Sequence, residues 1–155
     1  MTNSMSDDYL HIIPEDPNFV PDPAAGRRAL ELLREMAPAA DETGTTQTPG
    51  VKFVDPGENL ERISCPHCGA TVPTDLWVQM MDAAAAIGFQ DLSVQLPCCS
   101  VHTSLNDLNY DWPAGFARFR LWARNASIGG HAPTDTIAEI ARSLGCRVRQ
   151  ILTHT

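Results

Sequence analysis

The chain has 155 residues, 43% apolar and 19% charged, enough for one folded domain with its own core and too apolar for a disordered tail. Nineteen acids against eleven Lys and Arg leave a net charge of −8, the opposite of the positive field that nucleic-acid binders use to displace phosphate counterions. No apolar run approaches the ~20 residues of a bilayer span. Met1 to Asp8 is polar and acidic where a secretion signal would be basic and then apolar. The expected organisation is a flexible leader over 1–8 and a single cytoplasmic domain over 9–155.

Tyr9 to Ile13 reads as a short strand ended by Pro14. Asp22 and Pro23 are good helix-start residues, and Ala25, Ala29, Leu32, Leu33 and Met36 recur at helical spacing up to Pro38. Residues 38–50 are rich in Ala, Thr, Gly and Pro without periodicity, which predicts an exposed loop before a strand at Val51 to Asp55. Leu60 to Ser64 and Ala70 to Val72 are extended pieces on either side of a Cys65–Gly69 turn. Thr74 is expected to cap a second helix with the face Trp77, Met80, Met81, Ala84 and Ile87, stopped at Gly88. Leu92, Val94 and Leu96 alternate, and Pro97-Cys98-Cys99 turns the chain back into Val101, Thr103 and Leu105.

Phe116 to Arg124 alternates strictly. Ala117, Phe119, Leu121 and Ala123 face one way and Arg118, Arg120, Trp122 and Arg124 the other, the pattern of a half-buried strand. Thr136 to Glu139 fits a capping box ahead of an amphipathic helix carrying Ile137, Ile140, Ala141 and Leu144, and Gly145 ends it. Residues 147–152 close as a strand. The sum is an α+β fold: a ferredoxin-like sheet of two βαβ halves, with a zinc-ribbon-like segment of about residues 57–112 inserted between them.

Five cysteines carry the sharpest chemical signal. Zinc takes four soft or borderline ligands in a tetrahedron, and Cys65-Pro66-His67-Cys68-Gly69 supplies two thiolates on a turn whose glycine can take positive φ. The second pair comes from Cys98, Cys99 and His102: either both vicinal cysteines bind, or His102 replaces one of them. Two paired donors some thirty residues apart outweigh the readings of unrelated buried thiols or a redox dithiol. A redox Cys-x-x-Cys opens a helix directly after a strand, whereas here Pro73 and Thr74 delay the helix. Four protein ligands leave no open position, so one structural Zn2+ per chain is expected rather than a catalytic ion. Cys146, alone in an apolar stretch, reads as a small buried hydrophobe.

The segment after the cysteines is dense in hydrogen-bonding and amphipathic groups. Asn106, Asp107, Asn109, Tyr110, Asp111 and Trp112 are candidate binding residues, since such side chains recur at recognition surfaces; Asn and Asp also build ordinary turns by bonding their own backbone. Asp107 and Asp111 are candidate paired carboxylates, but no nucleophile motif or phosphate loop accompanies them. Arg118, Arg120 and Arg124 form the one basic cluster, continued weakly by Arg142, Arg147 and Arg149.

Cys65 to Gly69, Leu96 to Cys99, Ser104 to Leu108 and Asp111 to Phe119 together resemble an uncharacterised family of small bacterial proteins. The likeness covers roughly residues 50–125. It implies a bacterial cytosolic origin and tilts the ligand set toward Cys98 and Cys99 together, with His102 the alternative to one of them. It implies no activity. The expected function is a non-enzymatic, zinc-stabilised protein-interaction module, an acidic (immunity-like) partner for a basic protein. The alternatives are an enzyme, either a thiol redox catalyst using Cys98 and Cys99 or a metal-adjacent hydrolase, and a nucleic-acid-binding zinc ribbon.

Overall fold

The computed structural model describes residues 7–154; most of the expected leader therefore lies outside the described residues. β1 (Asp8–Pro14) is followed by α1 (Pro23–Met36) and by β2 (Glu42–Val54). The middle of the chain holds β3 (Ile63–Ser64), α2 (Thr74–Ala86), β4 (Ser93–Gln95), β5 (His102–Ser104), a single 3-10 turn (Leu105–Asp107) and β6 (Asn109–Tyr110). β7 (Gly115–Arg124), α3 (Thr134–Leu144) and β8 (Val148–His154) complete it.

β2, β7, β1 and β8 form one antiparallel sheet in that order. The alternation in β7 holds from Arg118 to Arg124, where Phe119, Leu121 and Ala123 are buried with half-buried residues between them; Gly115, Phe116 and Ala117 are all buried, and Ala117 packs with Ile13, Val54 and Ile151 instead. Leu10 pairs with Ala123 and Ile12 with Leu121, so the same face of β1 joins them. That face meets Ala29 and Leu33 of α1 and Ile140 and Leu144 of α3 in one apolar cluster. Cys146 is half-buried and packs against this cluster, short of the full burial its sequence context implies.

Three sequence expectations fail here. Residues 42–50 are not a loop but the first part of β2, which pairs with β7 from Glu42 to Val54 with a register shift between Gln47 and Lys52. An edge strand tolerates Pro49 because one side of its ladder is free, and its threonines are good strand formers although both faces are polar. The capping box at Thr136 is absent: α3 starts at Thr134 after Pro133, three residues earlier than a cap at Thr136 implies, with no side-chain cap. Likewise Thr74 is the first residue of α2 rather than its cap, and Ile87 lies past the helix and 51% exposed. The two predicted helix stops hold, with Gly88 and Gly145 at φ of 68° and 82°.

On the opposite face of the sheet, His11 is buried to 7% exposure and stacks on Tyr9. Its Nδ1 lies 3.0 Å from Nη1 of Arg120. Burial, reinforced by that guanidinium, lowers its pKa to about 3. The sign follows from linkage. Between about pH 3 and 6.5 the unfolded chain binds a proton at His11 that the native chain refuses, so stability falls as pH falls through that window. His11→Phe, which needs no proton in either state, is expected to flatten that slope in urea titrations at pH 4, 5 and 6. An unchanged slope would remove His11 as its source.

Candidate metal centre

The middle of the chain builds a second apolar cluster, from Val51, Ile63, Cys65, Val72, Ala84, Leu96, Leu105, Leu108, Tyr110, Ala114 and Phe116. Trp77, Met80 and Met81 of α2 pack against it as the helical spacing predicts. Two chain reversals project from this cluster. The first runs from Ser64 to Thr71, which bridge each other, and the second joins β4 to β5, with Gln95 opposite His102.

The two tips share one backbone plan. The N–H of Cys65 donates to the carbonyl of Ala70 at 2.8 Å, and the N–H of Leu96 donates to that of Val101 at 3.0 Å, five residues on in each case. Gly69 and Ser100, at equivalent places, both take positive φ, 78° and 60°. Leu96-Pro97-Cys98-Cys99-Ser100 thus superposes in order on Cys65-Pro66-His67-Cys68-Gly69. Leu96 takes the position of Cys65, and Cys98 that of His67. On such a tight turn the adjacent side chains of Cys98 and Cys99 can converge, where those of neighbours in an extended strand diverge. The pattern was present in the sequence as two Pro-containing turns of equal length, but the missing first cysteine hides it.

The ligand atoms of Cys65, Cys68, Cys98 and Cys99 all lie within 4.8 Å of one another. The sulfurs of Cys65 and Cys99 are 3.8 Å apart, those of Cys68 and Cys98 3.4 Å, and those of Cys98 and Cys99 3.9 Å. A disulfide would place two of them ~2.05 Å apart, and all five cysteines are free. A tetrahedral ion with metal–sulfur bonds of ~2.3 Å sets sulfur–sulfur edges of ~3.8 Å. The donors are therefore spaced to hold one metal ion. His102 pairs in β5 and stands outside the group, and neither Asp107 nor Asp111 belongs to it. It is the one such group of donors among the described residues.

Cys65 is fully buried, whereas Cys68, Cys98 and Cys99 are exposed. The N–H of Cys68 donates to the sulfur of Cys65 at 3.4 Å and that of His67 at 3.3 Å. The Cys68 contact foremost, then that of His67, pulls the Cys65 thiol down to about 6 against the cost of burial. Cys98 is pushed up to about 12, first by its contact with the Cys68 thiol and then by desolvation. Four thiols this close cannot all ionise alone; a divalent cation could take the place of their protons.

The candidate binding segment divides. Asn106 and Tyr110 are buried, while Asp107, Asn109, Asp111 and Trp112 are exposed, Trp112 at 36%. Tyr110 donates its hydroxyl to the carbonyl of Leu105 at 2.7 Å and accepts from Nε1 of Trp77 at 3.3 Å. Asn106 bonds the backbones of Glu15 and Phe116. Both hold the fold and are unavailable to a partner, because their polar atoms are already matched inside. Asp111 accepts from the N–H of Glu61 at 3.1 Å, which holds its carboxyl below the usual range and ties it to the entry of the first tip.

The basic cluster is also dispersed. Arg124 lies within 3.8 Å of Asp7 and 3.6 Å of both Asp41 and Glu42, and Arg149 pairs with Glu15 at 2.6 Å. No helix among the described residues is long and apolar enough to cross a membrane. No protein-family model, curated protein or solved structure matches the chain.

Proposed function

We propose that the chain is a zinc protein whose single ion is structural, held by Cys65, Cys68, Cys98 and Cys99, and that it works as a protein-interaction module. The spacing of the four sulfurs carries the metal reading. Thiolates select zinc over hard cations, and four of them leave the ion no open position for water or substrate. The strand order supports a ferredoxin-like sheet with a ribbon-like insertion between its second and third strands. The resemblance to the small bacterial family agrees with the paired use of Cys98 and Cys99.

The interaction reading rests on charge and exposure. A net charge of −8 suits steered association with a basic protein, and Asp107, Asn109 and Trp112 offer an exposed acidic and aromatic rim along the segment that joins the second tip to β7. Elemental analysis of protein purified under reducing conditions is expected to give about one zinc per chain, falling to near zero in Cys65→Ser. Freshly reduced protein without zinc sinks the metal reading. Affinity capture that retains the same partners with Trp112→Ala and Asp107→Asn as with the unaltered chain removes the rim from the interaction.

A further inference from the structure

On the face of the sheet turned away from α1 and α3, a cavity of about 220 Å3 opens beside β1, β2 and β7. His11, Thr46, Lys52, Asp55, Arg118 and Arg120 are among the residues that line it. Three of the eleven basic residues of an acidic chain, including its one lysine, thus gather at a single cavity. Arg124, farther along the same strand, is surrounded by three carboxylates. Lys52, Arg118 and Arg120 make no ion pair with any carboxylate among the described residues.

The remaining lining groups fit the same charge logic. Asp55 is the one acid there, and its Oδ1 accepts the N–H of Gly57 at 2.7 Å within its own turn. Arg118 donates Nε–H to the carbonyl of Thr48 at 3.2 Å, which orients the guanidinium without neutralising it. His11 accepts from Arg120 and stays uncharged at neutral pH, so it holds that guanidinium in place without adding a further cation. Thr46 accepts Nε1–H of Trp122 at 3.1 Å, leaving its hydroxyl hydrogen free to donate. Arg118 and Arg120 are half-buried without a counter-charge, which is costly, and an oxyanion supplies both the missing charge and several acceptor oxygens.

We propose that this cavity binds the phosphoryl group of a small phosphate monoester, with Arg118, Arg120 and Lys52 as its cations and Thr46 as a hydroxyl donor. A dianion matches three positive charges better than a carboxylate does, and its tetrahedral oxygens can meet donors from β2 and β7 at once. Asp41, just ahead of β2, and Glu42, its first residue, disfavour a polyanionic strand laid across the sheet.

Calorimetric titration of the full-length, zinc-loaded chain with inorganic phosphate and with glycerol 3-phosphate tests the site. Saturable one-to-one binding is expected with both, tighter for the ester and weaker as salt is raised. Arg120→Gln is expected to lower the affinity by about tenfold or more, the loss of one charge-assisted contact. Lys52→Gln should weaken it several-fold; Lys52 is exposed and without an ion pair, so that variant keeps the fold even if Arg120→Gln does not. Arg142→Gln, remote on α3, should bind as the unaltered chain does. Heatless titrations with both probes at millimolar concentration, or undiminished binding by Lys52→Gln and Arg120→Gln, would overturn the site. So would a short DNA strand that displaces the ester at equal phosphate concentration.

Discussion

Stripping the metal, by a chelator or by Cys65→Ser, is expected to unfold the segment around the four thiols while the four-stranded sheet stays folded. The two parts have different sources of stability. The sheet and its two helices bury a continuous apolar cluster in which Leu10, Ile12, Ala29, Leu33, Leu121, Ala123 and Ile140 are almost wholly out of water. The metal segment also buries an apolar cluster, with Leu96, Leu105 and Phe116 out of water, but little regular structure frames it. β3 and β6 are two residues long, β4 and β5 three, and α2 buries only Ala84 among its thirteen. Ladders so short and a helix so exposed do not stand alone in water.

A structural zinc ion bound to unfolded-apo peptides contributes ~10–16 kcal/mol near neutral pH, more than these elements can supply themselves. Hydrogen exchange is expected to show lost protection over residues 60–110 after chelation, with β1, β7 and β8 still protected. Thermal melts should then separate into two transitions: Trp77, in the second cluster, reports the first, and Trp122, on the sheet, the second. One coincident transition, unmoved by chelator, would mean that the four thiols carry no ion that matters to the fold. Thiol labelling gives an independent count. Three of the four sulfurs are exposed, so they should resist labelling only while a metal covers them.

What the sequence revealed follows the range of the interactions involved. β7 was legible because its partners on one face are apolar and its period of two is unbroken from Arg118 to Arg124. α1 and the ends of α2 and α3 were legible because proline and glycine act on their own backbone. β2 was not, because an edge strand has one neighbour and its threonines, glycines and Pro49 carry no apolar alternation to betray the pairing with β7. The cysteines were legible as donors, yet the choice among Cys98, Cys99 and His102 depended on a backbone turn. Ser100 takes a positive φ there without being glycine, and Leu96 hides the equivalence with the first tip. Least visible of all were Asn106 and Tyr110. Their composition suggested a surface, and only partners distant in sequence, Glu15 and Trp77, reveal that they are internal.

Asn106 is therefore expected to act on stability and not on recognition. It lies where the metal segment rejoins the sheet. Its Oδ1 accepts the buried N–H of Phe116 at 3.1 Å, its Nδ2 donates to the carbonyl of Glu15 at 3.0 Å, and its own carbonyl accepts from Arg149 at 2.9 Å. The same Nη1 of Arg149 reaches the carbonyl of Ala114 at 2.7 Å, while Nη2 pairs with Glu15. Four stretches of chain, at 15, 106, 114–116 and 149, thus meet through one amide and one guanidinium. Asn106→Ala leaves the Phe116 N–H and the Glu15 carbonyl without these partners. At ~1–3 kcal/mol for each buried polar group left unmatched, the cost should be about 2–6 kcal/mol. Asn106→Asp keeps the acceptor for Phe116 and adds a charge beside Arg149, so it should cost less than alanine. Arg149→Met, which keeps the aliphatic stem, should be coupled to Asn106→Ala by ~0.5–3 kcal/mol in a double-mutant cycle, since each removes a partner of the other. Urea denaturation of the four proteins of that cycle measures it. If Asn106→Ala melts like the unaltered chain but loses a bound partner, the side chain belongs to a recognition surface after all, and the junction is held by Arg149 and backbone alone.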